Sequence, residues 1–158
     1  MKLRLALILA GAVLAATGAG AQQPCTTFPT VLVSAIPQNN TQYGGHVAAH
    51  IVGLTPPPGF TQNGRTLFAS TADYDEAWAD LNAQVPQINC AVNPQLGAEA
   101  ARDTDTQRFS RQCTAANGTG ICTASNQVQT NRVTFVFRAV SLQGQVRWVL
   151  YTAYPRPN

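Results

Sequence analysis

Lysine is all but missing from this chain of 158 residues: its one copy, Lys2, stands at the very start. Acidic residues are few and confined. All seven (Asp73, Asp75, Glu76, Asp80, Glu99, Asp103, Asp105) fall between positions 73 and 105, and none follows. Beyond the N-terminal segment, no run is apolar for long enough to cross a bilayer as a helix. The chain also lacks a G-x-S-x-G elbow, a glycine-rich loop carrying Lys with Ser or Thr, and any paired C-x-x-C. These gaps argue against an elbow-type serine hydrolase, a P-loop nucleotide site and a zinc site built on cysteine pairs. The carboxylates crowd one helix and its surroundings, which lends no support to a glycosidase pair.

What is present begins with Lys2 and Arg4, followed by an apolar run from Leu5 to Ala16 and a small-residue stretch, Thr17-Gly18-Ala19-Gly20-Ala21, that ends in A-x-A. A positive start, a short apolar middle and a small-residue exit predict a secretory signal peptide over 1–21, cut before Gln22. A retained spanning helix would need a longer run. The remaining 137 residues, 22–158, suit one domain with its own core, and no internal repeat is visible. The mature chain holds eight arginines against seven acids, a net charge near +1. Six of those arginines (Arg108, Arg111, Arg132, Arg138, Arg147, Arg156) follow Thr106, where no acid lies. A half of one sign favours an anionic partner such as a phosphate backbone, or is a chance skew that solvates the surface. The expected location is secreted or periplasmic, with no membrane contact after cleavage and no oligomer.

Four cysteines remain after cleavage: Cys25, Cys90, Cys113 and Cys122. An even number in an exported chain reads as disulfides. Cys113 and Cys122 flank turn-forming Asn117-Gly118 and Gly120, which favours Cys113–Cys122 and Cys25–Cys90.

Hydropathy patterning predicts a strand over Thr30–Ile36 stopped by Pro37, a helix over His46–Val52 closed by Gly53, and loop through Pro56-Pro57-Pro58-Gly59. A second helix starts at Ser70 and Asp73 in an S-x-x-D pattern, shows Trp78, Leu81 and Val85 on one face, and ends at Pro86. Residues 87–131 read as loops and short elements held by cysteines. A hairpin follows, Arg132–Leu142 and Gln145–Tyr154 around Gln143-Gly144, with Val146, Trp148, Leu150, Thr152 and Tyr154 expected on one face. Both hairpin faces are largely apolar, which places it near the middle of a covered sheet. The expected class is α+β, N-terminal helices packed on a twisted antiparallel sheet.

Two features carry possible chemistry. His46 and His50 are the only histidines, four residues apart, so on a helix they would share a face. Such a pair can act as general acid and base, can ligate a metal, or can be surface and capping residues with no chemical task. Thr152 and Tyr154 put two hydroxyls side by side at a strand exit that Pro155 stops. Hydroxyls there can orient a phosphate or a base edge; equally, they can be a half-packed Tyr and a Thr suited to a strand.

Taken together, Gly44-Gly45-His46, His50-Ile51-Val52-Gly53, Ala69-Ser70-Thr71 and the closing Leu150-Tyr151-Thr152-Ala153-Tyr154-Pro155 resemble the bacterial ribonuclease A-like toxin domains, found at the C-terminal ends of contact-dependent inhibition proteins and related polymorphic toxins. The resemblance spans about residues 43–156 in short islands. It implies a ribonuclease A-like α+β fold and a ribonuclease that needs no metal or other cofactor. It further implies a site made of a first-helix histidine (His46, His50), a following arginine (Arg65), and Thr152 with Tyr154. The partners implied are RNA and an immunity or inhibitor protein. The chain departs from the family pattern in three ways. His50 sits one position early, with Ile51 directly before Val52-Gly53; Arg65 follows a long proline-rich loop; and the four cysteines lie outside the family pattern. The alternatives are a catalytically inactive, disulfide-stapled binding module of the same fold and a small periplasmic metal-binding protein using the two histidines.

Overall fold

Two long antiparallel strands organise the chain in this computed structural model, which describes residues 20–157. The signal peptide expected over 1–21 lies, but for its last two positions, outside the described residues. In chain order the elements are β1 (Gln22–Pro24), α1 (Pro29–Ser34), α2 (Pro37–Asn40), β2 (Thr66–Phe68), α3 (Thr71–Ala83), β3 (Asn89–Ala91), β4 (Glu99–Ala116), β5 (Cys122–Leu142) and β6 (Gln145–Pro157). Single 3-10 turns occupy Cys25–Thr27, Thr41–Tyr43 and Val47–His50. β1 pairs with β3, and the main sheet runs β2-β4-β5-β6, antiparallel throughout. The fold is thus mixed helix and antiparallel sheet, with helices that are mostly short.

The disulfides are Cys25–Cys90 and Cys113–Cys122, with Cα atoms 4.9 and 5.8 Å apart. Two bridges suit an oxidising compartment. Among the described residues, no helix is long and apolar enough to cross a membrane.

Several local expectations are corrected. Thr30–Ile36 is not a strand: Pro29 stands in the first turn of α1, where its fixed φ suits a helix, and Val31 is buried in the core. The apolar β-branched run that suggested a strand is overridden by docking on β6. Residues 99–116 and 122–131 are not loops but long strands. Their outer halves are polar on both faces, so no alternation announces them, and ladder pairing holds them instead. α3 is capped as expected, the Ser70 hydroxyl accepting from the Asp73 amide at 3.1 Å, a contact worth about 1 kcal/mol. Its buried face, however, is Tyr74, Ala77 and Leu81, while Val85 lies past the helix end and is 91% exposed. Trp78 rests against Phe135 and Phe137, with ring centroids 5.9 and 6.4 Å apart.

The hairpin holds, with one change that decides the site. Phe137 pairs with Leu150 but Val136 pairs with Thr152, so Tyr151 is an extra residue in β6. A bulge of this kind switches the alternation. Trp148 and Leu150 go to the core with Phe135 and Phe137, while Thr152 and Tyr154 leave that face and stand opposite Val136 and Thr134. The expectation that all five alternate residues share a face is therefore corrected at Tyr151. β6 is also an edge strand rather than a central one. Polar groups, not another strand, cover its outer edge. Thr30 Oγ1 donates to Trp148 O at 2.6 Å, Ser34 Oγ accepts from Leu150 N at 2.8 Å, and Asn40 Nδ2 donates to Leu150 O at 2.7 Å. Edge carbonyls and amides satisfied in this way cannot recruit a foreign strand.

Candidate active site

The Gly44-Gly45-His46 sequence has a steric reason at each glycine. Gly44 sits at φ +81°, left-handed backbone that glycine adopts without strain. At Gly45, a Cβ would lie 2.3 Å from Asn40 Oδ1, so only hydrogen fits beside that amide. Asn40 is fully buried, and its Oδ1 accepts from Val47 N at 2.8 Å. His46 N donates to Tyr151 O, the carbonyl of the bulged residue, at 2.9 Å. The histidine turn is thereby fixed to β6 through Asn40 and Tyr151 together.

Gln62 holds the turn from its other side. It is fully buried, and its Nε2 lies 3.0, 2.7 and 2.9 Å from the carbonyls of Ala48, Ile51 and Leu54. Its Oε1 accepts from Cys122 N at 2.8 Å. One side chain thus joins the segment after His46 to the disulfide-closed end of the β4–β5 hairpin.

The expected helix over His46–Val52 is a 3-10 turn at Val47–His50, and His46 precedes it with φ −141° and ψ 35°. At three residues per turn, positions four apart do not share a face. The two imidazoles nevertheless converge, their centroids 5.8 Å apart, because the turn is pinned to β6 and not because of helical spacing. The His46 ring stacks on Phe60 at 4.4 Å and meets the edge of Tyr151 at 4.8 Å; His50 lies 5.3 Å from Tyr154.

His46, His50, Arg65, Thr66, Tyr154 and the Pro155–Pro157 end of β6 line one pocket of about 320 Å³. Four of the five residues singled out in the sequence meet there. The fifth, Thr152, precedes Tyr154 on the same face of β6 and is 6% exposed. Arg65 reaches the pocket held by its Nε donating to Thr61 O at 2.5 Å. The pocket draws on β2 and β6, strands at opposite edges of the sheet. Register shifts at Asp105/Arg108 and Thr130/Arg132 mark where the long strands bend to bring those edges together.

Three buried side-chain atoms lack a hydrogen-bond partner among the described residues: His46 Nδ1, His50 Nδ1 and Thr152 Oγ1. Buried polar groups are nearly always satisfied, so two such atoms on the pocket's histidines, with a third on β6 two residues before Tyr154, mark a place built for something else. Burial, and then the Arg65 charge, lower His46 to a pKa of about 4 and His50 to about 3; His46 adds to the lowering at His50, and a hydrogen bond with the Thr66 backbone opposes it. Both rings are neutral at pH 7. Among the described residues, no group of three or more His, Cys, Asp or Glu is placed to hold a metal ion.

Sequence reasoning passed over Asn40, Phe60, Gln62, Thr66 and the bulge at Tyr151. Asn40 and Gln62 sit in polar, loop-like stretches, where nothing signals full burial. Arg156 adjoins the Thr152–Pro155 motif, and that adjacency was an available signal. No family model, curated protein or solved structure matches this chain.

Proposed function

We propose that the chain is an exported, metal-independent ribonuclease of ribonuclease A-like type, working in a secreted or periplasmic setting as an antibacterial toxin. The observation that carries this reading is the pair of unpartnered buried nitrogens on His46 and His50 in a pocket shared with Arg65, with a third unpartnered atom on Thr152, two residues before Tyr154. The family resemblance of the Gly44–Gly53 and Leu150–Pro155 islands points the same way.

RNA carries a 2′-hydroxyl beside each phosphodiester, so a base can turn it into an internal nucleophile without metal. One neutral histidine takes the 2′-hydroxyl proton as that oxygen bonds to phosphorus. The other, protonated, gives its proton to the departing 5′-oxygen as the P–O5′ bond breaks. The products are a 2′,3′-cyclic phosphate and a 5′-hydroxyl. Arg65 and the Thr152 hydroxyl stabilise the charge that builds on the equatorial oxygens, where losing one such donor costs about 3 kcal/mol of barrier. The bound phosphate's negative charge opposes the effect of Arg65 and restores the proton that one histidine needs. An immunity or inhibitor protein would be its protein partner.

A second reading, a binding module of the same fold without catalysis, is favoured by the low histidine pKa values, which leave little protonated imidazole in the free site at neutral pH. The separating experiment incubates the oxidised mature chain with single-stranded RNA in excess EDTA, beside His46→Ala, His50→Ala and Thr152→Ala. Cleavage that survives EDTA and is lost in a histidine variant supports the nuclease. RNA binding with no cleavage at any enzyme concentration supports the module.

A further inference from the structure

A second depression, of about 530 Å³, adjoins the histidine pocket and shares Arg156 and Pro157 with it; Asn131 and Arg132 complete its lining. Arg132 and Arg156 are cross-strand partners in the β5–β6 ladder. Like charges placed directly opposite destabilise a sheet, so such a pair calls for a negative group between them. Within the protein, Asp103 answers only in part. Its Oδ2 lies 3.7 Å from Arg132 Nη1 and 3.6 Å from Arg156 Nη1, while its Oδ1 accepts the Thr134 hydroxyl at 2.7 Å. Asp103 is the carboxylate within 4 Å of these guanidiniums among the described residues, and neither contact is closer than 3.6 Å. Asp105, across the ladder from Arg132, balances the formal charge but is exposed and makes no ion pair among the described residues, so both guanidiniums keep donors free.

Arg108 shows what a structural arginine looks like in this fold. It binds Glu76 at 2.8 Å and Asp80 at 2.6 Å, and its side chain is 13% exposed. Arg132 and Arg156, by contrast, are each 49% exposed and loosely held. A planar guanidinium with free donors facing solvent is suited to a phosphate.

We infer that Arg132 and Arg156 form a second phosphate subsite, which holds the phosphodiester adjacent to the one in the histidine pocket when single-stranded RNA lies across β6. The inference rests on the ribonuclease reading for the nature of the ligand, but not on catalysis. Asp103 is the internal competitor that fills the subsite when RNA is absent.

The test uses 2′-O-methyl oligouridylates of two and of six nucleotides, which cannot supply the internal nucleophile, with binding read by fluorescence anisotropy across a salt series. Wild type should bind the hexamer more tightly than the dimer. Arg132→Ala should weaken the hexamer roughly fivefold, about the worth of one exposed charge pair, and leave the dimer nearly unchanged, while Arg156→Ala, which lines both depressions, should weaken the hexamer at least as much and the dimer as well. The hexamer's salt slope should fall by about 0.7 for each phosphate no longer neutralised. Asp103→Asn should tighten the hexamer alone, a result that a merely structural role for Asp103 does not give. Equal binding of dimer and hexamer by wild type, or a length advantage untouched by either arginine substitution, overturns the subsite. If length dependence stands while no RNA is cleaved, the subsite survives and the nuclease reading fails.

Discussion

The Gln62 side-chain amide donates to the carbonyl of Ile51 at 2.7 Å while accepting from the Cys122 backbone amide at 2.8 Å, with no part of the residue exposed. Removing it leaves buried carbonyls and an amide unpaired, each worth about 1–3 kcal/mol. Gln62→Ala should therefore destabilise the oxidised protein by on the order of 3 kcal/mol in urea unfolding. Gln62→Glu should be no better, because an ionised carboxylate cannot donate to three carbonyls. A fully stable Gln62→Glu protein would contradict the assignment.

Asn40 and Gly45 should be coupled. Gly45→Ala puts a methyl group onto the Asn40 amide and should cost more than the ~1 kcal/mol scale on which most substitutions fall. In an Asn40→Ala background the obstacle is gone, so the same change should cost much less. The double-mutant cycle, read from Tm and denaturation midpoints, should give a coupling of about 1–3 kcal/mol. Additive behaviour would show that the close approach of these two residues does not set the turn.

Low histidine pKa values make acid a destabiliser. The folded values, about 4 for His46 and about 3 for His50, lie below the ordinary 6.5, so the unfolded chain binds more protons between them. The stability from holding both rings neutral is fully present above pH 6.5 and is lost as the pH falls towards 4 and 3. For His50 the slope reaches at most about 1.4 kcal/mol per pH unit. Tm measured from pH 7.5 to 4 should decline, and His50→Gln should flatten the decline. Arg65→Ala should raise both histidine titrations, followed through the imidazole C2 protons by NMR, because Arg65 contributes to lowering both.

Catalysis by two histidines needs one protonated and one neutral. In the free protein that form is scarce at pH 7 and grows as the pH approaches 4. The kcat/KM for RNA cleavage should accordingly rise from pH 7.5 to 5, and Arg65→Ala should shift the profile to higher pH while lowering its height. A profile flat across that range would point to one histidine acting as base alone.

The two bridges should separate in effect. Cys25–Cys90 closes 65 residues and Cys113–Cys122 closes 9, so chain entropy assigns roughly 4 and roughly 2.5 kcal/mol respectively. Replacing each pair by serine should show that order in thermal stability. RNA cleavage should invert it relative to the fraction folded: Cys122 offers its amide to Gln62, and Gln62 holds the turn after His46.

The C-terminal hairpin and α3 were legible in the sequence because their signals are local: alternation around Gln143-Gly144, and the Ser70 cap. β4 and the outer half of β5 were not. Residues such as Thr123–Gln129 are polar on both faces, and nothing in a single strand reveals the ladder it will join. Thr30–Ile36 misled for the opposite reason, being apolar and β-branched yet set as a helix by Pro29 and by hydrogen bonds to β6. At the site, His46, His50, Arg65, Thr152 and Tyr154 could be named from residue type and resemblance. Their convergence could not be derived, since it depends on Asn40, Gln62 and the bend of the sheet.

The bulge at Tyr151 makes the site depend on strand register as much as on its side chains. Substitutions along β6 can weaken the pocket one side chain at a time, but a slip that brought Tyr151 into the ladder opposite Val136 would remove the bulge and rotate the strand's end by half a turn. Thr152 and Tyr154 would then be driven at Phe135 and Val133, and Ala153 and Pro155 would replace them outside. Register alone could therefore abolish this chemistry while every side chain that defines it is kept.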